Sequence, residues 1–263
     1  MAGFWQTLPS AMVALLVLTQ CSAADSPPDS NQPRPRIQLM TSLPLVWGDN
    51  ASMESILSGG AQPAPVYRYW QDQYDMAAVD SLESLEQDDP DIVILAQPRA
   101  MDPADLTILD AWVRMGGDVI ILTDPDLVWP SELPLGDTRR PLASGLLSPL
   151  LGHWGLELVA DADRSTEAVD LSFGSYSFAT RGAGKLQPMT AGSAPNARCK
   201  MASGDFIARC SVGLGQASIV ADADFLNAAF WPESTRRSPQ NSGAVRFVDS
   251  LVEEHIDSIV SKK

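Results

Sequence analysis

Two runs along the chain are apolar without a polar interruption. In Asp91-Ile-Val-Ile-Leu-Ala96 every residue after Asp91 is apolar and three are β-branched; Asp118-Val-Ile-Ile-Leu-Thr123 is its near twin. Neither alternates apolar with polar, so both are expected to be covered on both faces, as central strands of a parallel sheet are. The segment between them carries helix signals. Asp102 suits an N-cap, Pro103 the first helical position, and Asp105 the positive end of the dipole. Leu106, Leu109 and Val113 form an apolar stripe, widened by Ile108 and Trp112, and Gly116-Gly117 closes it. Residues 91–125 therefore predict a strand–helix–strand unit, a crossover that is right-handed in nearly all proteins.

The remaining pattern extends this unit. Ile37-Gln-Leu-Met-Thr41 predicts a first strand, followed by a loop over residues 43–49, and residues 53–57 predict a short helix before Gly59-Gly60. Val66-Tyr-Arg-Tyr-Trp70 reads as a second strand, and residues 77–86 as a helix with Val79, Leu82 and Leu85 on one face. After Thr123 comes a loop to Pro141 rich in Pro, Gly and charge, long enough to be either functional or mobile. Residues 142–151 predict a helix, 153–158 the approach to a strand, and Ala217-Ser-Ile-Val-Ala221 another buried strand. Residues 222–229 predict a short helix, and 242–260 a final amphipathic helix with Asn241 as its cap. Residues 160–212 differ, with Gly- and Ser-rich, alternating pieces such as Val169-Asp-Leu-Ser-Phe173. The expected fold is α/β, mainly parallel, with a β-rich insertion or antiparallel extension around 160–212, all within one domain from residue 36 to 263.

The N-terminus reads as a targeting segment. Ala11-Met-Val-Ala-Leu-Leu-Val-Leu18 is an apolar core, and Ser22-Ala23-Ala24 offers small residues for cleavage. No Lys or Arg precedes it, and an uncleaved anchor starting near Phe4 is the alternative to a signal peptide over residues 1–24. Leu18-Thr-Gln-Cys21 resembles a lipoprotein box, departing from it at Gln20, which makes Cys21 a candidate for lipidation. Residues 25–35 are a Pro-rich polar spacer. The expectation is export, to the periplasm or to a membrane-attached state facing it.

The other cysteines agree with an oxidising compartment. Cys199 and Cys210 flank two short strands around Gly204-Asp205, and the symmetry of that spacing makes them direct cross-strand partners in a disulfide. A four-residue loop suits the bond better than a two-residue turn, which would make them a hydrogen-bonded pair. The alternative for this pair is two free buried thiols in a cytosolic protein.

Composition removes whole classes. Of 263 residues, 33 are acidic and 18 basic, for a net charge of −15, which argues against nucleic-acid binding and adsorption to anionic lipid. No nucleophile elbow, P-loop or dinucleotide fingerprint occurs, and neither His153 nor His255 has an acid and a hydroxyl nearby in sequence. His255 is expected on the surface and His153 in a structural turn. No catalytic residue and no cofactor are assigned. Zinc-type spacing is missing too.

The strand ends are richer. Ligands of open parallel sheets bind outside the carboxyl ends of the strands. Asp124 and Asp126 follow one such end, Asp222 and Asp224 another. If the two strands are neighbours, four carboxylates could face one crevice and hold Mg²⁺ or Ca²⁺; the bland alternative is that they cap helices and close turns, and no metal is assigned. Trp47, Trp129 and Trp231 also lie downstream of strand ends. Such a rim suits sugar rings or a partner chain; ordinary packing is the plainer reading.

The order of these pieces resembles the soluble auxiliary component of ABC-type transporters of the gliding-motility type. The resemblance rests on the unit over residues 91–125, ending Gly-Gly, strand, Asp-Pro; on Leu147-Ser-Pro-Leu-Leu-Gly-His-Trp-Gly-Leu156; and on Gly213-Leu-Gly-Gln-Ala-Ser-Ile-Val-Ala-Asp-Ala-Asp-Phe-Leu-Asn227. It covers roughly residues 36–255, through motifs shared with other class I glutamine amidotransferase-like domains. That superfamily implies a flavodoxin-like, three-layer sheet. Its enzymes hold a nucleophile, usually Cys, at the turn after the strand matching 91–96, where this chain has Gln97-Pro98. The resemblance therefore implies the non-catalytic branch: an accessory of an ABC-type transport or envelope system, with an envelope protein such as a permease as partner, glycan as a further ligand, and membrane contact only through the N-terminus. It departs from auxiliaries that carry a further helix after the soluble domain, since this sequence closes Ser261-Lys-Lys263. The rival readings are a metal-assisted hydrolase using the acidic crevice and a glycan-binding module.

Overall fold

The computed structural model describes Met1 and residues 33–49, 51–161, 167–189 and 196–262. The targeting segment, most of the spacer and Cys21 lie outside the described residues. Residues Arg34–Lys263 form one compact unit.

Its centre is a seven-stranded sheet. In chain order the elements up to the middle are β1 (Arg36–Thr41), α1 (Met53–Leu57), α2 (Pro65–Gln73), β2 (Asp75–Ala78), α3 (Leu85–Asp88), β3 (Ile92–Ala96), α4 (Pro103–Arg114), β4 (Asp118–Leu122) and α5 (Ser148–His153). There follow β5 (Leu156–Val159), β6 (Val169–Phe173), β7 (Tyr176–Thr180), β8 (Lys185–Pro188), β9 (Arg198–Ala202), β10 (Ile207–Val212), β11 (Gly215–Val220), α6 (Glu233–Arg236) and α7 (Gly243–Lys262). The sheet order is β2-β1-β3-β4-β11-β10-β9. β2, β1, β3, β4 and β11 run parallel, and β10 and β9 are antiparallel additions. The parallel part has the 2-1-3-4-5 order of flavodoxin-type sheets. The chain moves outward from β1 to β2, then returns across β1 to β3 and onward to β4. Right-handed crossovers in opposite directions put α2 and α4 on opposite faces.

The two uninterrupted apolar runs are β3 and β4, paired in register, and every residue in both is buried. Trp70 on α2 donates its indole N–H to buried Asp249 on α7 at 3.1 Å, and the Tyr69 hydroxyl donates to the same carboxylate at 3.0 Å, so α2 and α7 share a face. Burial pushes the Asp249 carboxyl up to about 6, against the hydrogen bonds that favour its ionised form.

The expected antiparallel extension and the expected insertion both exist. β9 and β10 extend the main sheet, while β5 with β8 and β6 with β7 form two small sheets of their own. The β6–β7 hairpin is fastened by aromatic rings: Phe173 stacks on Phe206 at 4.6 Å, and Phe178 meets Phe225 at 4.9 Å and Phe247 at 5.3 Å. Cys199 and Cys210 are direct partners in the β9–β10 register and are joined by a disulfide. The last paired residues are Ala202 and Ile207, which leaves a four-residue loop between the strands.

Several local expectations are corrected. Residues 66–70 are helical: Pro65 starts α2, and Val66, Tyr67 and Trp70 bury one helical face, overriding the β-propensity of the aromatics. Residues 77–86 are not one helix. Asp75–Ala78 pairs as the edge strand β2, Leu82 and Leu85 are buried in the turn after it, and only Leu85–Asp88 is helical. The helix expected over 142–151 is confined to Ser148–His153, and residues 222–229 form two 3-10 turns. Asp102 holds the N-cap position of α4 without a side-chain hydrogen bond, whereas Asp105 is buried and accepts from the Leu82 N–H at 3.0 Å. α7 begins at Gly243 after a 3-10 turn that includes Asn241.

Candidate functional site

The sheet reverses its winding between β1 and β3, and a crevice opens there beyond the strand ends. Its cavity is about 280 Å³, bounded by Thr41 at the end of β1 and Ser42 after it, by Trp47, by Arg99 after β3, and by Trp129 and Arg139 from the long loop after β4. This is where open α/β sheets bind ligands. The loop expected to be functional or mobile forms one wall, and it is tied down by Leu127 N–H to Ala143 carbonyl (2.8 Å) and Gly145 N–H to Asp124 carbonyl (2.7 Å). Trp47 is half exposed, at 53%. Gly48 beside it has φ +80°, and a Cβ there would lie 2.0 Å from the Gln62 carbonyl, so this turn requires glycine. Trp129 donates its indole N–H to Asp49 at 3.1 Å across the mouth. Arg139 is ion-paired with Asp137 at 2.7 Å. Arg99 is exposed and has no ion-pair partner among the described residues. Trp231, the third residue of the expected rim, is not on it: it is buried and donates to the Phe225 carbonyl at 2.8 Å.

The turn after β3, where the resemblance implied a nucleophile in related enzymes, is closed. Gln97 has φ +45° and a fully buried side chain. Its Oε1 accepts from the Asp124 N–H (2.8 Å), and its Nε2 donates to the carbonyls of Asp124 (3.1 Å) and Leu142 (3.0 Å). The Gln97 carbonyl accepts from the Ser42 N–H at 3.0 Å and its hydroxyl at 2.5 Å. The carboxyl ends of β1, β3 and β4 are thereby pinned together, and the Gln97 amide is taken up by these bonds.

β4 and β11 are neighbours. The Asp124, Asp222 and Asp224 side chains converge, with one potential ligand oxygen from each within 4.8 Å of the others, and all three are fully buried. Two Asx turns shape the pair of loops: Asp124 accepts from the Asp126 N–H and Asp222 from the Asp224 N–H, both at 2.7 Å, and Asp224 also accepts from the Val128 N–H at 2.7 Å. One oxygen of each of the three lacks a hydrogen-bond partner. Asp126 follows the same strand end, is only partly buried, and is not among the converging carboxylates. Burial, then the facing Asp222 carboxylate, pushes Asp124 far above the ordinary carboxylate range; burial and Asp224 raise Asp222. Burial raises Asp224 to about 7, opposed by the Val128 N–H and by Arg181. Three hard oxygen donors buried together suit a divalent cation or a shared proton.

The histidines divide. His153 is about half exposed, with Nε2 3.6 Å from Asp110, whose carboxylate also accepts from Trp154 at 2.7 Å; it belongs to a structural network. His255, expected at the surface, is buried on α7 with Nε2 2.9 Å from the Ser218 hydroxyl and Nδ1 3.7 Å from Asp118. The apolar stripe Val248, Leu251, Val252 continues onto it at helical spacing, a signal present in the sequence.

Residues 34–203 match the family of transport auxiliaries described as an ABC-type uncharacterized transport system. The chain belongs to this family. It is thus an auxiliary component of an ABC-type transport system; the match ends before β10, so Asp222, Asp224 and α7 lie beyond it. No curated protein matches the sequence. Among solved structures it is similar to the mmIFT52 N-terminal domain (10% identity, 84% of this chain and 96% of that one, TM-score 0.48). It is also similar to the cytoplasmic protein STM3548 from Salmonella typhimurium (8% identity, 82% and 97%, TM-score 0.45). An exo-β-1,4-mannosidase from Opitutaceae bacterium strain TAV5 aligns over 83% of this chain but 36% of its own length, with 15% identity and a TM-score of 0.43. No functional conclusion follows from likenesses at these scores.

Proposed function

We propose that this auxiliary is an exported, non-catalytic domain that holds a partner of the transport system in the crevice between β1 and β3. The observation that carries the reading is Gln97: the turn available for a nucleophile is occupied by a buried amide that fastens the scaffold. What remains open at the switch point is a surface for binding. Two indoles supply apolar faces, and Arg99 supplies a cationic edge. An extended segment of an envelope protein, the permease above all, suits that combination; a sugar ring with an acidic substituent is the second occupant it accommodates. The Cys199–Cys210 disulfide supports residence in an oxidising compartment such as the periplasm, and a targeting segment over residues 1–24 supports export. The test is affinity capture of the detergent-solubilised permease by the full chain. Trp129→Ala and Arg99→Glu are expected to lower capture roughly tenfold, about 1.4 kcal/mol, and unchanged capture by both variants would remove the crevice from the account.

The converging carboxylates favour one other reading, a metal-assisted hydrolase. Titration calorimetry with Mg²⁺ and Ca²⁺ decides its premise: no binding heat, and no dependence of any heat on Asp124 and Asp222, would exclude it.

A further inference from the structure

A second pocket lies at the other end of the strands, on the face covered by α7. Its cavity is about 320 Å³, walled by Arg198, Lys200 and Arg209 and floored by Gln216, Ser218 and His255. The β9–β10 register sets Lys200 directly opposite Arg209, with Arg198 opposite Ser211 on the same face. The disulfide-bonded Cys199 and Cys210 point to the other face, where the Cys199 sulfur lies 3.9 Å from the Trp154 carbonyl. Like charges directly opposite across an antiparallel pair destabilise it. This chain has only 18 basic residues against 33 acidic, yet it gathers three of them around one cavity. Glu254 on α7 neutralises Arg209, at 2.7 Å. Arg198 and Lys200 are exposed, and neither has an ion-pair partner among the described residues. Asp118, the other acid near the floor, sits behind His255. Ser218 and His255 hold each other at 2.9 Å, placing a hydroxyl and an imidazole at the base of the cavity.

We propose that this pocket binds the phosphate group of a soluble ligand, with Arg198 and Lys200 as its primary cations, Arg209 closing the wall, and the Ser218 hydroxyl, held in place by His255, at the floor. One Arg fork satisfies a carboxylate; the two unpaired cations Arg198 and Lys200, beside the Arg209–Glu254 pair, suit a dianion. The remaining volume accommodates the substituent. A phosphodiester on an anionic bilayer offers the same oxygen acceptors with a single charge, and the net charge of −15 opposes approach to such a surface.

The test uses the full chain with two probes. Glycerol phosphate is titrated by calorimetry, and co-sedimentation is measured with phosphatidylcholine vesicles with and without phosphatidylglycerol. Glycerol phosphate is expected to bind, with affinity at least roughly tenfold weaker in the Arg198→Ala, Lys200→Ala double variant and kept in Arg198→Lys, Lys200→Arg. Both positions are exposed, so the melting temperature of either variant is expected to match the parent. Binding confined to phosphatidylglycerol vesicles and lost in the alanine variant would support the site and overturn the soluble source. No binding of either probe, or binding undiminished in the alanine variant, would overturn the proposal.

Discussion

Gln97 grips the backbone of Asp124 in both directions: its amide oxygen takes the Asp124 N–H at 2.8 Å, and its amide nitrogen reaches the Asp124 carbonyl at 3.1 Å. A peptide-like pairing made by a side chain carries the connection between two neighbouring strand ends beyond the last backbone bond, Gln97 N–H to the Leu122 carbonyl at 2.7 Å. The long loop after β4 starts from a fixed point as a result, and that loop brings Trp129 to the crevice.

Replacing Gln97 by Leu keeps the volume and removes all three side-chain bonds, two to Asp124 and one to the Leu142 carbonyl. The Asp124 carbonyl retains its bond from Gly145, but the Asp124 N–H loses its partner inside the protein. The expected cost is about 1–3 kcal/mol, the usual penalty of an unsatisfied buried donor. Denaturant unfolding checks it; a loss under about 0.5 kcal/mol would mean that the amide does not hold the strand ends.

The acidic cluster predicts a falling stability with rising pH. Asp224 is raised to about 7 in the folded chain, and Asp124 and Asp222 are raised as well, each from an ordinary value of 3.8. Between about pH 4 and 7 the folded state therefore binds more protons than the unfolded state, and stability declines across that window, continuing upward until Asp124 has ionised. Asp124→Asn should flatten the slope measured by thermal unfolding across this range. A wild-type curve flat through that window would contradict the cluster as described.

A cation would act in the opposite sense. If Mg²⁺ or Ca²⁺ enters among Asp124, Asp222 and Asp224, it competes with protons, and its stabilisation grows as pH rises. The comparison is the melting temperature with and without each ion at about pH 5 and pH 8. A larger gain at the lower pH would argue against a site built from these carboxylates.

The disulfide closes a loop with a sequence separation of 11. Chain-entropy reasoning gives it about 3 kcal/mol. Cys199→Ala with Cys210→Ala should lower the denaturant midpoint accordingly, and mass spectrometry of exported protein should show the two cysteines linked. Free thiols in that sample would remove one support for an oxidising compartment.

How far the sequence could be read depended on where the deciding forces lie. β3 and β4 were legible because a strand buried on both faces must be apolar at every position, a purely local signal. The Cys199–Cys210 pairing was legible because hairpin register is arithmetic. α2 was misread because Val66, Tyr67, Tyr69 and Trp70 favour strands by propensity, whereas tertiary burial of one face against α7 decides; Pro65 at the first helical position was the available cue. β2 was hidden because an edge strand with mostly exposed residues carries no alternation. At the site, the paired Asp-x-Asp segments marked the strand ends, but the closeness of Asp124 to Asp222 needed β4 and β11 to be neighbours across nearly a hundred residues. The crevice drew Trp47 and Trp129 together through loop conformation, which no periodicity encodes, and the turns after β11 took Trp231 into the interior.

The account turns on the crevice between β1 and β3 as the surface that meets the transport system. Its most direct test is site-specific photocrosslinking in cells, with a photoreactive residue at position 47 in the crevice mouth and, as control, at exposed Leu214 in the turn at the opposite end of the sheet. Crosslinks to the permease from position 47 and none from position 214 are predicted. Crosslinks from 214 alone, or equal yields from both, would contradict the assignment.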